Sequence, residues 1–440
     1  MLTKLKTLQQ HKGFMRYLKN TSWLFGEKVL KLFVGLFVGV WVAKYLGPKQ
    51  FGLFSYAQSF VGLFSTIATL GLDGIVVREL VKDEKRRDEL IGTAFWLKVI
   101  GAIAVLLVLA IAINFTSNDS YTNILVFIIA SATVFQSFNV VDFFFQAKVM
   151  GKYITYTNTI TLFTSSIVKI TLILSNAPLI AFAWTVLFDS IVLALGFIYF
   201  YLQQTKYSKP HFTFRKEIAV SLLKDSWPLI LSGFVISIYM KIDQVMIQEM
   251  IGSEAVGQYA AAVRISEAWY FIPMVVSSSL FPAIINAKNQ SDDLYYARLQ
   301  KLYNLMVWMA IAVALPMTFL SDWIVNLLYG ELYNEAGDVL MIHIWAGLFV
   351  SLGVARGSWI MAENLQLFST YFIGIAGAIN VIGNYMFIPT YGINGAAFTT
   401  LVSYAISVIV APYFFRATRH SVYMLMKAML MFNLFRSLDE

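Results

Sequence analysis

Cysteine is absent from the 440 residues, so disulfide frameworks, thiolate nucleophiles and cysteine-ligated metals are excluded. Charge is scarce as well: only 13% of residues are Asp, Glu, Lys or Arg, about half the share of an ordinary soluble domain. The four histidines, His11, His211, His343 and His420, are too scattered to suggest a metal site. No GxxxxGK[ST] phosphate loop, HExxH zinc motif or GxSxG nucleophile turn occurs, so the common signatures of ATP-driven pumps, metalloproteases and hydrolases are missing. No polar segment is long enough to form a soluble domain.

What the chain has is apolar surface: 58% hydrophobic and 16% aromatic residues place it in the membrane class. About 20 apolar residues cross a bilayer as a helix, and such stretches follow one another nearly end to end. They suggest spans near 22–46, 53–75, 91–113, 124–145, 154–174 and 179–201, then near 229–251, 261–285, 302–320, 339–361, 368–387 and 396–415. The expected fold is therefore all-α and integral to the membrane, with about twelve transmembrane helices. Lys4, Lys6, Lys12, Arg16 and Lys19 precede the first apolar run without a small-residue cleavage site, which reads as a retained span.

Lys and Arg collect on the cytoplasmic side of membrane proteins, and here they alternate. Arg78, Lys82, Lys85, Arg86 and Arg87 fill one loop, Lys148 and Lys152 another, and Lys206, Lys209, Arg215, Lys216 and Lys224 the central linker. Lys288, Arg298 and Lys301 continue the series, as do Arg416, Arg419, Lys427 and Arg436. The intervening loops carry only Lys49. This pattern predicts an even number of spans with both termini cytoplasmic, although the loop at Glu363 breaks it by having no Lys or Arg. The net charge of +8 is accounted for by loops facing anionic headgroups, which removes the need for a nucleic-acid partner.

Laying residue 46 on residue 251 brings out a repeat. Leu46, Gly47, Gly52, Phe54 and Ala57 then face Ile251, Gly252, Gly257, Tyr259 and Ala262. Six spans per repeat would relate two lobes by a pseudo-twofold axis along the membrane normal, around a central cavity. The expected division is 1–204 for the N-terminal lobe, 205–226 for a cytoplasmic linker, 227–415 for the C-terminal lobe and 416–440 for a cytoplasmic tail, the last favoured as a surface helix.

Ionisable residues within spans each cost about 2.5–3.5 kcal/mol at a helix centre on insertion scales, so they should face protein or water. Glu27 and Lys31 are one turn apart, as are Arg264 and Glu267, and both couples read equally well as neutralising pairs. Lys241 and Asp243 lie in the seventh span, Asp189 at the centre of the sixth and Arg356 in the tenth. Lys31, Lys241, Arg264 and Arg356 are the candidate ligands for an anionic substrate. Glu27, Asp189, Asp243 and Glu267 are the candidate ion-coupling carboxylates, with H+ or Na+ as the coupling ion and no other cofactor expected. Lys44, Lys98 and Lys148 are close enough to span ends to snorkel, while Asp73 and Asp142 read as structural. Trp23, Trp227 and Trp323 read as interfacial anchors.

The wording of 20–80, NTSWLFGEKVLKLFVGLFVGVWVAKYLGPKQFGLFSYAQSFVGLFSTIATLGLDGIVVREL, resembles the polysaccharide transporter family. These are the Wzx-type O-antigen and capsule repeat-unit flippases of the multidrug/oligosaccharidyl-lipid/polysaccharide (MOP) superfamily. YMKIDQVMIQEMIGSEAVGQYAAAVRISEAWYFIP (239–273) and YGINGAAFTTLVSY (391–404) are similar to it too. The resemblance implies a non-enzymatic flippase of the bacterial inner membrane. It would move undecaprenyl-pyrophosphate-linked oligosaccharide from the cytoplasmic to the periplasmic leaflet by alternating access, with spans one, two, seven and eight lining the cavity. Membrane lipids, a polysaccharide polymerase and a chain-length regulator are the partners it brings with it. A multidrug exporter of the same superfamily is the nearest alternative, and a membrane-embedded polymerase or glycosyltransferase a more distant one.

Overall fold

The long apolar stretches all fold as helices, and no strand occurs among the described residues. The computed structural model describes residues 12–205 and 212–430, with side chains from residue 20 onward. Ten helical segments among these are long and apolar enough to cross a membrane. Two of them, Asn20–Lys82 with 63 residues and Gln366–Phe414 with 49, would reach roughly 95 and 74 Å if straight, far beyond the ~30 Å of a bilayer core. Each breaks at a glycine in a left-handed conformation, Gly47 (φ 67°) and Gly392 (φ 59°), so each supplies two crossings and the total becomes twelve. An L side chain at either glycine would be strained, and Pro48 suits the first turn of the resumed helix because no N–H is needed there.

The helices are α1 (Lys12–Thr69), α2 (Asp73–Lys82), α3 (Arg87–Ala112), α4 (Ser120–Gln136), α5 (Val140–Ala147), α6 (Gly151–Leu174), α7 (Leu179–Gln204) and α8 (Lys216–Met250). They continue with α9 (Ser253–Glu267), α10 (Phe271–Lys288), α11 (Asp292–Tyr329), α12 (Ala336–His343), α13 (Ala346–Ala362), α14 (Gln366–Ala405), α15 (Ala411–Phe414) and α16 (Arg416–Met429). Between crossings, Asp119 caps α4 by accepting the Thr122 N–H at 2.8 Å, and the Thr122 side chain, together with that bond, holds its carboxyl below the usual range. Of the expected linker 205–226, residues 206–211 lie outside the described residues. The chain is helical from Lys216 because Ile218, Ala219 and Leu222 find apolar partners to be buried against.

Contacts divide the chain into two compact units: unit 1, Met1–Tyr45 with Ala57–Ser237, and unit 2, Leu46–Tyr56 with Ile238–Glu440. Unit 1 packs around Leu72, Val76, Ile91, Val140 and Phe145, and unit 2 around Tyr303, Met306, Ala310, Leu352 and Leu425. In each unit the basic ends of the helices gather together. Arg78 pairs with Asp225 (2.5 Å), Arg215 with Glu89 (3.1 Å) and Lys148 with Glu84 in unit 1. In unit 2, Glu363 pairs with Lys288 (2.9 Å), so the loop without a cation of its own lies against one from another loop. At the opposite ends, Tyr45 donates to the Ala177 carbonyl and Gln258 to that of Leu332.

The two aligned repeat segments meet inside unit 2. A Cβ on Gly52 would strike the Ser253 carbonyl, and one on Gly257 would strike the Pro48 carbonyl. In the repeat register 48 corresponds to 253 and 52 to 257, so these are two copies of one backbone-to-backbone contact. Gly252, the counterpart of Gly47, also has a positive φ (120°). The C-terminal α16 buries Val422, Leu425 and Ala428, and it is tied to α11 by Ser421 on Tyr303 (3.2 Å) and by Gln300 on the Met424 carbonyl (3.0 Å). Residues 431–440 of the expected tail lie outside the described residues.

Candidate functional site

Three helices of unit 2 converge on one carboxylate. Asp243 on α8 is 6% exposed. Its Oδ1 accepts from Asn384 Nδ2 at 2.6 Å, while its Oδ2 accepts from Thr400 Oγ1 at 2.6 Å and from the Tyr259 hydroxyl at 2.7 Å. Tyr259 comes from α9. Asn384 and Thr400 both come from α14 but lie on opposite sides of its break at Gly392, so two antiparallel crossings present them together. Gly395 lets those crossings close up, since a Cβ there would meet the Phe387 carbonyl.

A second layer surrounds the first. Asn380, one turn before Asn384, accepts from it at 3.3 Å and donates to Thr400 at 3.4 Å. Thr400 also lies 3.0 Å from the Ala396 carbonyl, but its single proton cannot serve Asp243 and Ala396 at once. The Asn384 Oδ1 is buried without a partner. Six oxygen-bearing groups thus crowd together: Asp243, Tyr259, Asn380, Asn384, Thr400 and the Ala396 carbonyl. Among the described residues no Lys, Arg or His forms an ion pair with Asp243, so the groups that face it there are dipoles. One carboxylate among neutral oxygens matches a hard monovalent cation, and a proton on the carboxylate would meet the same balance. No group of three or more His, Cys, Asp or Glu is placed to hold a metal among the described residues.

The other candidates are distributed unevenly around this cluster. Lys241 and Asp243 are the charges that act on Glu267, and both Lys241 and Glu267 are half-buried. Arg264 forms no pair with Glu267 and instead lies over the Phe51 ring at 5.6 Å. Glu27 and Lys31 do not pair either: Glu27 is 8% exposed, with no hydrogen bond or ion pair among the described residues, whereas Lys31 is exposed. Asp189 is matched by Lys169 (3.1 Å) and Ser165 (2.9 Å), both on α6. Arg356 is buried, with its terminal nitrogens on the carbonyls of Val408 (2.6 Å) and Ser407 (3.0 Å), and it lies over the Phe372 ring. Those carbonyls belong to the π-helical turn Ile406–Val410, where the normal helical bonding is displaced. Lys98, expected to snorkel, is buried, because Asp73 (3.1 Å) and the Phe143 face hold it.

Tyr259, Asn380, Asn384, Thr400 and Lys169 are absent from the sequence-derived candidates. A lysine in mid-span and two amides four residues apart in an apolar span were legible signals. The tyrosine and threonine gave none.

Residues 17–288 match the family model described as polysaccharide biosynthesis protein, and residues 228–386 match the MatE model. A curated relative, the probable flippase AglR of Haloferax volcanii, is 25% identical over 405 residues, covering 88% of this chain and 81% of the relative. Among solved structures, an inward-facing MATE multidrug-resistance transporter of the MOP superfamily superposes with a TM-score of 0.72 at 16% identity, over 90% of this chain and 95% of that one. The lipid II flippase MurJ, in an inward closed conformation, gives 0.71 at 15% identity, over 94% and 91%. At these identities the two structures speak to the fold alone.

Proposed function

Because the chain belongs to the polysaccharide biosynthesis protein family, we propose that it flips undecaprenyl-pyrophosphate-linked oligosaccharide repeat units, of O-antigen or another surface polysaccharide, across the bacterial inner membrane. Transport runs from the cytoplasmic to the periplasmic leaflet by alternating access and is coupled to H+ or Na+ entering the Asp243 cluster. Both termini are cytoplasmic, a reading supported by the Lys and Arg alternation along the sequence. The protein works as a transporter and not as an enzyme, in keeping with its flippase relative. A polymerase and a chain-length regulator act on the delivered units.

The observation that carries the coupling is Asp243 itself. A carboxylate this buried, facing three donors and no cation, can change its charge only by taking up a small cation, and doing so releases the donors from α9 and both arms of α14. The pyrophosphate requires cations of its own, and Lys31, Lys241 and Arg264 are the ones we assign to it. None of the three forms an ion pair among the described residues, which supports assigning their charges to the substrate.

Complementation of a flippase-null strain tests the reading. Asp243→Asn should lose surface polysaccharide while retaining folded protein, and Lys241→Ala and Arg264→Ala should do the same. Normal polysaccharide from all three variants would rule the assignment out. In proteoliposomes, flipping indifferent to imposed pH and sodium gradients would remove the coupling and leave the substrate untouched. The MatE match over 228–386 supports a second reading, a drug exporter on the same fold. Drug hypersensitivity of a deletion strain with intact surface polysaccharide would favour it.

A further inference from the structure

Glu27 has no part in the Asp243 cluster, and its surroundings differ in kind. It lines a partly open cavity of about 620 Å³ within unit 1, together with Ser22, Trp23, Gly26 and Leu30 of α1, Thr155, Tyr156, Thr159 and Ile160 of α6, and Phe200 of α7. The lining is almost wholly apolar. Trp23 and Tyr156 meet edge to face at 5.4 Å on one wall, and Phe200 lies beside Tyr156 at 6.0 Å. Among the lining residues Glu27 is the only carboxylic acid, and it has neither a hydrogen bond nor an ion pair among the described residues. An uncompensated carboxylate in apolar surroundings is costly, so the site favours whatever cation can reach it.

The cavity restricts what that cation can be. A small ion would find one carboxylate and the scattered hydroxyls of Ser22, Thr155, Tyr156 and Thr159 in a lining whose surface is mostly carbon, whereas three aromatic rings favour a cation carried on an organic body. The cavity lies at the basic ends of the spans: α6 begins just after Lys148, and Lys152 stands one turn before Tyr156, outside the lining. Its rim residues Trp23, Tyr156 and Ile160 are exposed, and the same face of α6 runs on to Phe163, which is exposed as well. The occupant therefore has an ammonium for Glu27, an apolar chain for the outer surface and, toward Lys152, room for a negative group.

We infer that this cavity binds the primary-ammonium headgroup of a membrane phospholipid of the phosphatidylethanolamine type, with Glu27 accepting the ammonium hydrogen bonds. The lipid would tie α1 to α6 at headgroup depth. The site is independent of the transported substrate and of the Asp243 cluster.

Native mass spectrometry of the detergent-purified full chain tests this, with phosphatidylethanolamine, phosphatidylglycerol and dodecylamine added separately. The intact protein should retain phosphatidylethanolamine over phosphatidylglycerol by about tenfold, the scale of one charge-assisted contact. Glu27→Gln should bring the two lipids level. Gly26→Leu, placed where an added side chain meets no neighbour, should fill the cavity and lower retention with Glu27 still present. Both variants should elute as monodisperse protein, so loss of lipid cannot be put down to misfolding. Equal retention of the two lipids by the unaltered chain, or unchanged preference in Glu27→Gln, overturns the inference. Retention of dodecylamine without phosphatidylethanolamine also overturns it and points to a soluble amine.

Discussion

Asp243 in unit 2 and Glu27 in unit 1 are both carboxylic acids carried on long membrane-spanning helices, and both are less than a tenth exposed. Asp243 is met by three donors from two other helices, and Glu27 by none. A third acid, Asp189, is met by a cation, Lys169. Burial alone therefore does not define how a membrane protein treats a carboxylate. One is solvated by fixed dipoles, one is neutralised and one is left open. The first suits a site that changes charge during a cycle, the second a structural brace and the third a receptor for an external cation.

Substitutions can break this ranking. Asp243→Leu should have the largest effect, on the order of 3 kcal/mol, because Tyr259 and Asn384 would each keep a buried donor without its acceptor at about 1–3 kcal/mol apiece, while Thr400 could turn to the Ala396 carbonyl. Thermal unfolding in detergent would check it, and a loss below 1 kcal/mol would mean that the donors easily find other partners. Lys169→Met should cost less, about 1–2 kcal/mol, since its pair with Asp189 is only partly exposed and lies between surface and buried cases.

Asp119 provides the surface reference, a carboxylate in water whose only task is to cap α4. Asp119→Ala should cost about 1 kcal/mol. Because the folded state depresses its pKa, the contribution is present above the unfolded carboxyl value and disappears as pH falls through the folded one. A cost that persisted in full at the acid end would refute the capping account. Glu27→Gln should have the smallest effect on stability in lipid-free detergent, near zero or slightly stabilising, as it removes an unpartnered charge. Strong destabilisation there would mean that Glu27 has a structural partner.

Much of the fold was legible in the residues. Apolar runs marked the crossings, and the alternation of Lys and Arg sorted helix ends into a basic and a non-basic set that the contacts within each unit reproduce. Gly47 and Gly252, aligned by the repeat, are both backbone breaks. Asp243 could be singled out as a carboxylate in an apolar span, but its ligands could not. They lie 16, 141 and 157 positions away, and helical periodicity reports only neighbours on the same helix. The same limit accounts for the two couples that do not pair. Four-residue spacing put Glu27 near Lys31 on one helix, yet Glu27 lies against the cavity and Lys31 at the surface.

The sequence by itself determined that this chain inhabits a membrane, roughly where it crosses and which ends share a charge. Partition into lipid is nearly a sum over the residues of one segment, so each segment announces it alone. The tertiary structure decided which buried charges are matched, by what, and which is left open. That depends on side chains brought together from distant segments at about 3 Å, and no local pattern encodes so short a meeting between remote parts of the chain.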